Sequence, residues 1–167
     1  MNASPALLIR AEALLAACRA RGWRVATAES CTGGLVAALL TEIAGSSDVV
    51  ECGYVTYSNA AKAGMLGVDP EMIQAAGAVS QEVARAMAEG ALAQSAADLA
   101  IAITGIAGPG GATSTKPVGL VHFGLAVRGR PTLNLERRYG PLGRERVRVA
   151  AVDDALGLLE KAASAER

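Results

Sequence analysis

Apolar residues recur every three to four positions over residues 5–21, and charged residues fill positions between them. This spacing predicts an amphipathic helix that buries one face. Gly22 follows the last periodic position, and glycine ends helices readily because it adopts left-handed backbone angles at little steric cost. A helix packed against a core is therefore expected over residues 5–21.

Five short apolar runs bounded by turn residues predict β-strands. They cover residues 23–28, 49–57, 98–104, 118–127 and 132–139. The third run is apolar almost throughout, which is typical of a strand buried on both faces of a sheet. The last two runs are separated by Gly129-Arg-Pro131, which predicts a hairpin.

Capping residues mark further helices. Ser58, Asp69-Pro70 and Ser80 each precede a helix-like segment, and a side-chain oxygen or a first-turn proline favours a helix start there. The predicted helices cover residues 32–43, 58–66, a short segment from 69, 81–96 and 143–164. This mixture of helices and strands predicts an α/β fold, a three-layer α/β/α domain with a mixed β-sheet. The 167 residues suit a single domain over 1–167.

Composition and charge exclude several classes of partner. Aromatic residues make up only 3% of the chain, so the stacking surfaces that single-stranded nucleic-acid binders need are scarce. The formal net charge is zero, which leaves no overall field to attract nucleic acid or an anionic membrane. Three widely spaced cysteines argue against a disulfide framework and favour a reducing, cytoplasmic location. We therefore expect no nucleic-acid partner and no membrane partner, although basic residues between 137 and 148 leave room for a local anion site.

The reactive side chains argue against most metal and cofactor chemistry. His122 is the only histidine and lies inside a predicted strand, whereas zinc sites built on histidine and cysteine need more ligands. The acidic residues form no recognisable ligand cluster, and Gly108-Pro-Gly-Gly111 does not match the dinucleotide-binding fingerprint. We expect no metal site and no cofactor. A nucleophile would then be a serine or cysteine activated by something other than histidine.

The segment Thr27-Ala-Glu-Ser-Cys-Thr-Gly-Gly34 is the strongest candidate for such a nucleophile. It joins a predicted strand to a predicted helix, so it places a hydroxyl and a thiol beside backbone N–H groups at the positive end of a helix dipole. That arrangement suits attack on a carbonyl or the binding of a phosphate. The alternative is structural, with Ser30 or Thr32 as a helix cap and the glycines as a tight turn.

Lysine is the candidate base. The chain has thirteen arginines and only three lysines. Of these two residue types only lysine can give up its proton, which happens when burial favours the neutral amine. Lys62 and Tyr57 can converge on one point if Tyr57 ends a strand and Ser58 caps the next helix. Two alternatives stay open: structural roles for both residues, and a Ser58–Lys62 pair on one helix face.

Six motifs follow one another along the chain. They are Ala28-Glu-Ser-Cys-Thr-Gly-Gly34, Ile43-Ala-Gly-Ser-Ser47, Val55-Thr-Tyr-Ser-Asn-Ala-Ala-Lys62, Gly77-Ala-Val-Ser80, Gly105-Ile-Ala-Gly-Pro109 and Lys116-Pro-Val-Gly119. Together they resemble the CinA C-terminal domain family, over a stretch from about residue 7 to the final helix. Some family members carry a further large N-terminal domain, and this chain resembles the stand-alone form.

The resemblance implies an α/β amidohydrolase that converts nicotinamide mononucleotide, a small-molecule nucleotide substrate, to nicotinate mononucleotide and ammonia, within pyridine nucleotide salvage. It also implies a homodimer and a Ser–Tyr–Lys catalytic set that works without metal. Carried over to this chain, Ser30 is the nucleophile, and Tyr57 with Lys62 is the proton-transfer pair.

A substrate-binding set follows from that reaction. Its expected members are Cys31, Thr32, Gly33, Gly34, Thr104, Gly105, Gly108 and Arg144. The first four offer backbone N–H groups to an oxyanion, while the later loop and the arginine could anchor the phosphate. Family members often show Gly-Asp-Arg before the last helix; here the matching residues are Leu142-Gly-Arg144, without the acid.

Rival functions stay open from the sequence alone. Cys31 could be the nucleophile, since a helix N-terminus favours thiolate formation. The chain could instead be a non-catalytic nucleotide-binding module that does not need Lys62, or an amidase that acts on another small amide.

Overall fold

A five-stranded mixed β-sheet forms the centre of the computed structural model, which describes residues 3–165. Its strands are β1 (Val25–Glu29), β2 (Val50–Val55), β3 (Leu99–Gly105), β4 (Leu120–Val127) and β5 (Leu133–Arg138). They are ordered β2-β1-β3-β4-β5, with β1 parallel to β2 and β3, and β4 antiparallel to β3 and β5. The carboxyl ends of β1, β2 and β3 therefore meet at one end of the sheet.

Helices cover both faces of this sheet. They are α1 (Pro5–Arg21), α2 (Leu35–Thr41), α3 (Asn59–Leu66), α4 (Pro70–Ala76), α5 (Gln81–Ala93) and α6 (Arg144–Ser164), and a 3₁₀ helix spans Ser46–Asp48. Buried side chains of α1, α2 and α6 pack on one face of the sheet, and those of α3, α4 and α5 pack on the other. The fold is thus the predicted three-layer α/β/α arrangement with a mixed sheet.

The two faces of the sheet differ in side-chain size. Because successive strand residues point to opposite faces, Ile101 and Ile103 pack under α6, whereas Ala100 and Ala102 pack under α5. The small side chains let α5 approach the sheet closely. A Cβ built on Gly124 would lie only 2.3 Å from the carbonyl oxygen of Ala84 on α5.

Most predicted elements are present, with shifted ends. Ser58, Asp69 and Ser80 each accept a hydrogen bond from a first-turn N–H group, as capping residues do. The helix expected over residues 32–43 covers only Leu35–Thr41, since the preceding Gly33-Gly34 pair has φ of 62° and 94°, outside the helical range. The helix expected over 81–96 ends at residue 93.

Within residues 3–165, no helix has the length and hydropathy that crossing a bilayer requires.

Candidate active site

Ser30 lies directly after β1, at the carboxyl end of the parallel strands. Its N–H group donates to the carbonyl oxygen of Ile103 at 2.9 Å, which holds its backbone against β3. The chain leaves β1 through α2 on one face to reach β2, then crosses the other face to reach β3 on the far side of β1. Open α/β sheets bind ligands at such a switch in strand order.

Helix α3 places Lys62 beside this serine. Only 1% of Lys62 is exposed, and its Nζ lies 3.1 Å from Ser30 Oγ. The same nitrogen donates to the carbonyl oxygen of Thr56 at 2.9 Å. Burial lowers the pKa of Lys62, because desolvation disfavours the ammonium form. A lysine held in this way can take a proton from the serine hydroxyl.

Ser58 has a separate role. Its Oγ accepts a hydrogen bond from the N–H group of Ala61 at 3.0 Å and caps α3. The side-chain partner of Lys62 is Ser30, from a different element of the fold. The geometry therefore favours the Ser30–Lys62 pair over the Ser58–Lys62 pair.

Glu29, the last residue of β1, is fully buried beneath the start of α2. Its Oε2 accepts from the N–H groups of Gly34 and Val36 at 3.1 Å each, and its Oε1 accepts from that of Ala37 at 2.9 Å. Of these donors, the N–H group of Gly34 was expected to face a ligand, yet a side chain of the protein itself satisfies it. Sequence reasoning missed this role of Glu29, although an acid directly after the predicted strand over 23–28 was a usable signal.

The turn before α2 leaves few of its backbone donors for an oxyanion. The N–H group of Gly33 donates to a carbonyl within the turn at 3.0 Å, and that of Gly34 donates to Glu29. In the described part of the chain, the N–H groups of Cys31 and Thr32 donate to no other residue. Thr32 is fully buried and Cys31 is 6% exposed, so among the four expected residues the N–H group of Cys31 is the one left that a ligand could reach.

Arg148 contacts the same turn from α6. Its Nε donates to the carbonyl oxygen of Cys31 at 3.1 Å, and its Nη2 donates to that of Thr32 at 2.9 Å. A Cβ on Gly33 would lie 3.6 Å from Nη2, so the guanidinium packs closely on the turn. Sequence reasoning gave Arg148 no individual role, and only its place in a basic cluster drew notice.

The thiol of Cys31 is buried and protonated. The residue is 6% exposed, and a Cβ on Gly105 would lie 3.1 Å from its Sγ. Burial raises the pKa of Cys31 to about 12. At neutral pH the thiolate is therefore scarce, which disfavours Cys31 as the nucleophile.

Tyr57 is exposed and pairs with Arg144. The residue is 58% exposed, and its hydroxyl oxygen accepts from Arg144 Nη2 at 2.9 Å. Nη1 of the same guanidinium donates to the carbonyl oxygen of Gly108 at 3.1 Å. Among the described residues, no hydrogen bond joins Tyr57 to Lys62. The structure thus brings together Tyr57, Arg144 and Gly108 as one group and Ser30 with Lys62 as another.

Thr104 and Gly105 contribute to packing at the end of β3. The Thr104 hydroxyl donates to the carbonyl oxygen of Ala78 at 2.7 Å, and the residue is 1% exposed. A Cβ on Gly105 would lie 2.7 Å from Val121 Cγ2, so no side chain fits there without movement. The same Cβ would lie 2.9 Å from a backbone carbonyl oxygen of β4, which leaves glycine as the residue that fits.

His122 occupies a buried position on β4. Its Nε2 lies 3.8 Å from Glu136 Oε2 on β5, and burial lowers its pKa. Its pairing partner on the adjacent strand β3 is Thr104.

Within residues 3–165, no group of three or more His, Cys, Asp or Glu side chains is placed to hold a metal ion.

Comparison with solved structures finds several similar chains. A competence/damage inducible protein CihA from Agrobacterium tumefaciens is 50% identical in sequence, with a TM-score of 0.92 over 95% of this chain and 97% of that chain. A Competence-Damaged Protein (CinA) superfamily protein from Klebsiella pneumoniae is 36% identical, with a TM-score of 0.89 over 95% of this chain and 98% of that chain.

Sequence comparison agrees with the structural one. A CinA-like protein from Anaeromyxobacter sp. is 51% identical over 151 residues, which is 90% of this chain and 36% of that relative. The chain spans about a quarter to a third of the length of the curated relatives it matches. The sequence model of the CinA C-terminal domain matches residues 9–163. On these matches, the chain belongs to the CinA C-terminal domain family.

Proposed function

We propose that this chain is a serine amidohydrolase that deamidates nicotinamide mononucleotide to nicotinate mononucleotide and ammonia. One observation carries the proposal: the nitrogen of the buried Lys62 lies 3.1 Å from the hydroxyl oxygen of Ser30. The ordered, buried position of that lysine supports a catalytic role over a role in surface solvation. The choice of substrate rests on the family resemblance.

Acylation is the first step. Lys62 in its neutral form accepts the hydroxyl proton of Ser30 while Oγ attacks the carboxamide carbon. The new C–O bond leaves negative charge on the carbonyl oxygen, and the N–H group of Cys31 is the backbone donor of this turn that can stabilise it. The C–N bond then breaks, and the leaving nitrogen takes the proton from Lys62 and departs as ammonia.

Hydrolysis of the acyl-enzyme is the second step. Water attacks the ester carbon, and Lys62 accepts a proton from that water. The ester C–O bond breaks, nicotinate mononucleotide leaves, and the proton on Lys62 returns to Ser30 Oγ. One lysine therefore serves both half-reactions as base and acid.

Tyr57 and Arg144 are proposed to act on the substrate side. Because the Tyr57 oxygen accepts from Arg144, its own O–H group is left to donate a hydrogen bond to the substrate, while Lys62 supplies the proton that the leaving nitrogen takes. Arg144 uses two of its nitrogens here, and a guanidinium carries five N–H donors, so others can meet the phosphate.

The test is ammonia release from nicotinamide mononucleotide without added metal. The parent chain is compared with Ser30→Ala, Lys62→Met and the distant control Lys161→Met, each checked for folding by circular dichroism. We expect release by the parent and the control, and loss of at least about 10³-fold in the two site variants, because the nucleophile and its base act as a unit.

The outcomes separate the rival functions. No release by a folded parent, with release from another small amide, would correct the substrate and keep the mechanism. Nucleotide binding by the parent without turnover of any amide would instead indicate a binding module. Release that persists in folded Ser30→Ala would rule out this serine as the nucleophile.

A further inference from the structure

We infer that Thr56 is a positioning residue whose main-chain carbonyl orients the amine of Lys62 towards Ser30. The inference rests on the proposed function, since it concerns the same serine and its base. Neither the proposed catalytic set nor the expected substrate-binding set includes Thr56. The contact that supports this role is buried, because Lys62 Nζ donates to the Thr56 carbonyl oxygen at 2.9 Å and 0% of Thr56 is exposed.

A neutral amine can take the serine proton only in some orientations. It carries two N–H groups and one lone pair, and the lone pair must face the hydroxyl group of Ser30. On an exposed lysine the bond between Cε and Nζ turns freely. Here one N–H group is held by the Thr56 carbonyl oxygen, which limits this rotation while Nζ lies 3.1 Å from Ser30 Oγ. The carbonyl therefore reduces the loss of freedom on reaching the reactive geometry.

The sheet fixes this acceptor relative to the nucleophile. Ser30 directly follows β1 and Thr56 directly follows β2, and these strands pair in parallel with Glu29 opposite Val55. The N–H group of Thr56 donates to the carbonyl oxygen of Glu29 at 2.9 Å, so the pairing continues one residue past the end of β2. Neighbouring strands lie about 4.8 Å apart. One nitrogen placed between the two strand ends can therefore contact both Ser30 and Thr56.

An uncharged acceptor suits a base that must change its protonation state. A carbonyl oxygen accepts a hydrogen bond from the amine and from the ammonium alike, so it holds the nitrogen before and after proton transfer. In residues 3–165, no carboxylate forms an ion pair with Lys62. Over the same residues, the buried hydroxyl group of Thr56 has no hydrogen-bond partner, so this residue acts through its main chain.

An amide-to-ester replacement isolates this contact. The α-hydroxy acid analogue of tyrosine at position 57 keeps the Tyr57 side chain and turns the Thr56 carbonyl into an ester carbonyl, which is a weaker acceptor. It also removes the N–H group of Tyr57, which donates to no residue in the described part of the chain. The matched control is the same replacement at Tyr139, whose N–H group donates to the carbonyl oxygen of Gly119 at 2.9 Å.

The assay is the rate at which a fluorophosphonate labels Ser30, followed by intact mass across about pH 5–10. In that labelling the serine oxygen forms a bond to phosphorus, the P–F bond breaks, fluoride leaves and Lys62 takes the serine proton. The rate rises with the fraction of neutral amine. Its midpoint therefore reports the pKa of Lys62, and its upper plateau reports how well the amine is oriented. Ammonia release from nicotinamide mononucleotide gives kcat and KM for the same proteins.

We expect the ester at position 57 to lower the plateau labelling rate and kcat by about 5-fold to 10-fold with KM changed less than about twofold, since one such hydrogen bond contributes roughly a factor of 10. The midpoint should move to lower pH, because a weaker acceptor stabilises the ammonium less. The ester at position 139 should keep the parent plateau and midpoint even if it lowers thermal stability. A purely structural Thr56 would behave like this control.

A parent-like plateau and midpoint in the folded ester variant at position 57 would overturn the inference. If that variant does not fold, NMR relaxation of the parent decides, because only three lysines contribute Cε signals. We expect the Lys62 signal to be as ordered as the rigid backbone, and motion like that of the exposed Lys161 would overturn the inference equally.

The labelling assay needs no amide substrate. A parent that is labelled at Ser30 but releases no ammonia would therefore refute the proposed function, while the pH profiles of labelling would still decide the role of Thr56.

Discussion

The side-chain nitrogen of Lys62 lies within hydrogen-bond distance of two oxygens, Ser30 Oγ and the Thr56 carbonyl oxygen, and neither belongs to an acidic side chain. An acid at this position would hold the lysine in its charged form and remove it as a base. Burial without an acidic partner has the opposite effect. The reactivity of this residue thus depends on a dry position between α3 and the end of β1.

The pH dependence of turnover follows from this. In the proposed mechanism the base is the neutral amine, and burial lowers the pKa of Lys62 from 10.5, so kcat/KM should rise with pH and level off below pH 10.5. The value of kcat/KM rises with pH because deprotonation of Lys62 creates the active form. The measurement is initial ammonia release across pH 5–10, and a rate that falls over the whole range would contradict the assignment.

Removal of the Cys31 thiol should leave the chemistry intact. Its pKa of about 12 keeps it protonated, so we expect Cys31→Ala to retain ammonia release within about threefold of the parent. Burial of the small side chain predicts a stability cost of about 1 kcal/mol. Turnover and urea unfolding measured on one preparation check both values, and loss of turnover in a stable variant would restore the cysteine as a candidate nucleophile.

At the scale of single elements, α2 depends on Glu29 rather than on a cap at its own N-cap position. Gly34 precedes the helix and offers no side-chain bond, while the Glu29 carboxylate accepts three N–H groups of its first turns. We expect Glu29→Gln to lower the free energy of unfolding by about 2 kcal/mol, because an amide has one acceptor oxygen and no charge.

Glu42, exposed at the other end of α2, provides the control for that variant. Glu42→Gln should change the free energy of unfolding by less than about 0.5 kcal/mol. Chemical denaturation by urea measures both values. Equal effects of the two substitutions would show that the buried carboxylate does not hold α2.

Two glycines in the helices that support Lys62 should respond in opposite ways to alanine. On α5, a Cβ at Gly90 would lie 2.0 Å from the carbonyl oxygen of Leu66 on α3, so Gly90→Ala should cost about 2 kcal/mol or more. On α3 itself, Gly64 has no atom within 4 Å of such a Cβ, and Gly64→Ala should stabilise by about 0.5–1 kcal/mol.

Thermal unfolding of both glycine variants checks these signs. Since α3 carries Lys62, Gly90→Ala should also lower ammonia release by shifting that helix against the sheet. Gly64→Ala should leave release unchanged. A Gly90→Ala variant as stable as the parent would contradict the close approach of α3 and α5, and a destabilised Gly64→Ala variant would contradict the open space beside Gly64.

At the scale of the whole molecule, the expected homodimer is open to a direct measurement. Several apolar side chains stay exposed, among them Val55 at 47% and Leu142 at 45%, which is compatible with a covered face in an assembly. Sedimentation equilibrium should give twice the chain mass of 16.9 kDa. A mass of one chain at every concentration tested would refute this expectation.

The sequence predicted those parts of the fold that local patterns determine. Helical periodicity, capping by Ser58 and Ser80, and apolar strand runs are local signals, and they led to the correct layer architecture. The start of α2 was misplaced because the backbone angles of Gly33 and Gly34 depend on how the turn is held in three dimensions.

The site was harder to predict because its contacts join distant elements. Ser30 and Lys62 could be singled out from residue type alone, but the pairing of Tyr57 with Arg144 spans 87 positions of the chain. Arg148 reaches the turn from 117 positions away from Cys31. Local sequence patterns do not predict contacts between residues so far apart in the chain. The contacts of Arg144 and Arg148 become visible only once the packing of α6 is known.

The antiparallel pairing of β4 with β3 has a consequence for altering substrate preference. Since Gly105 pairs with Val121, residues 106–119 leave and rejoin the sheet at the same end, which is the end where Ser30 lies. Insertions there need not change the register of any strand, because a loop tolerates added length at small entropic cost. For the proposed amidase, a library that varies the length of this segment would therefore explore new amide substrates while the Ser30–Lys62 pair and its supporting helices stay constant.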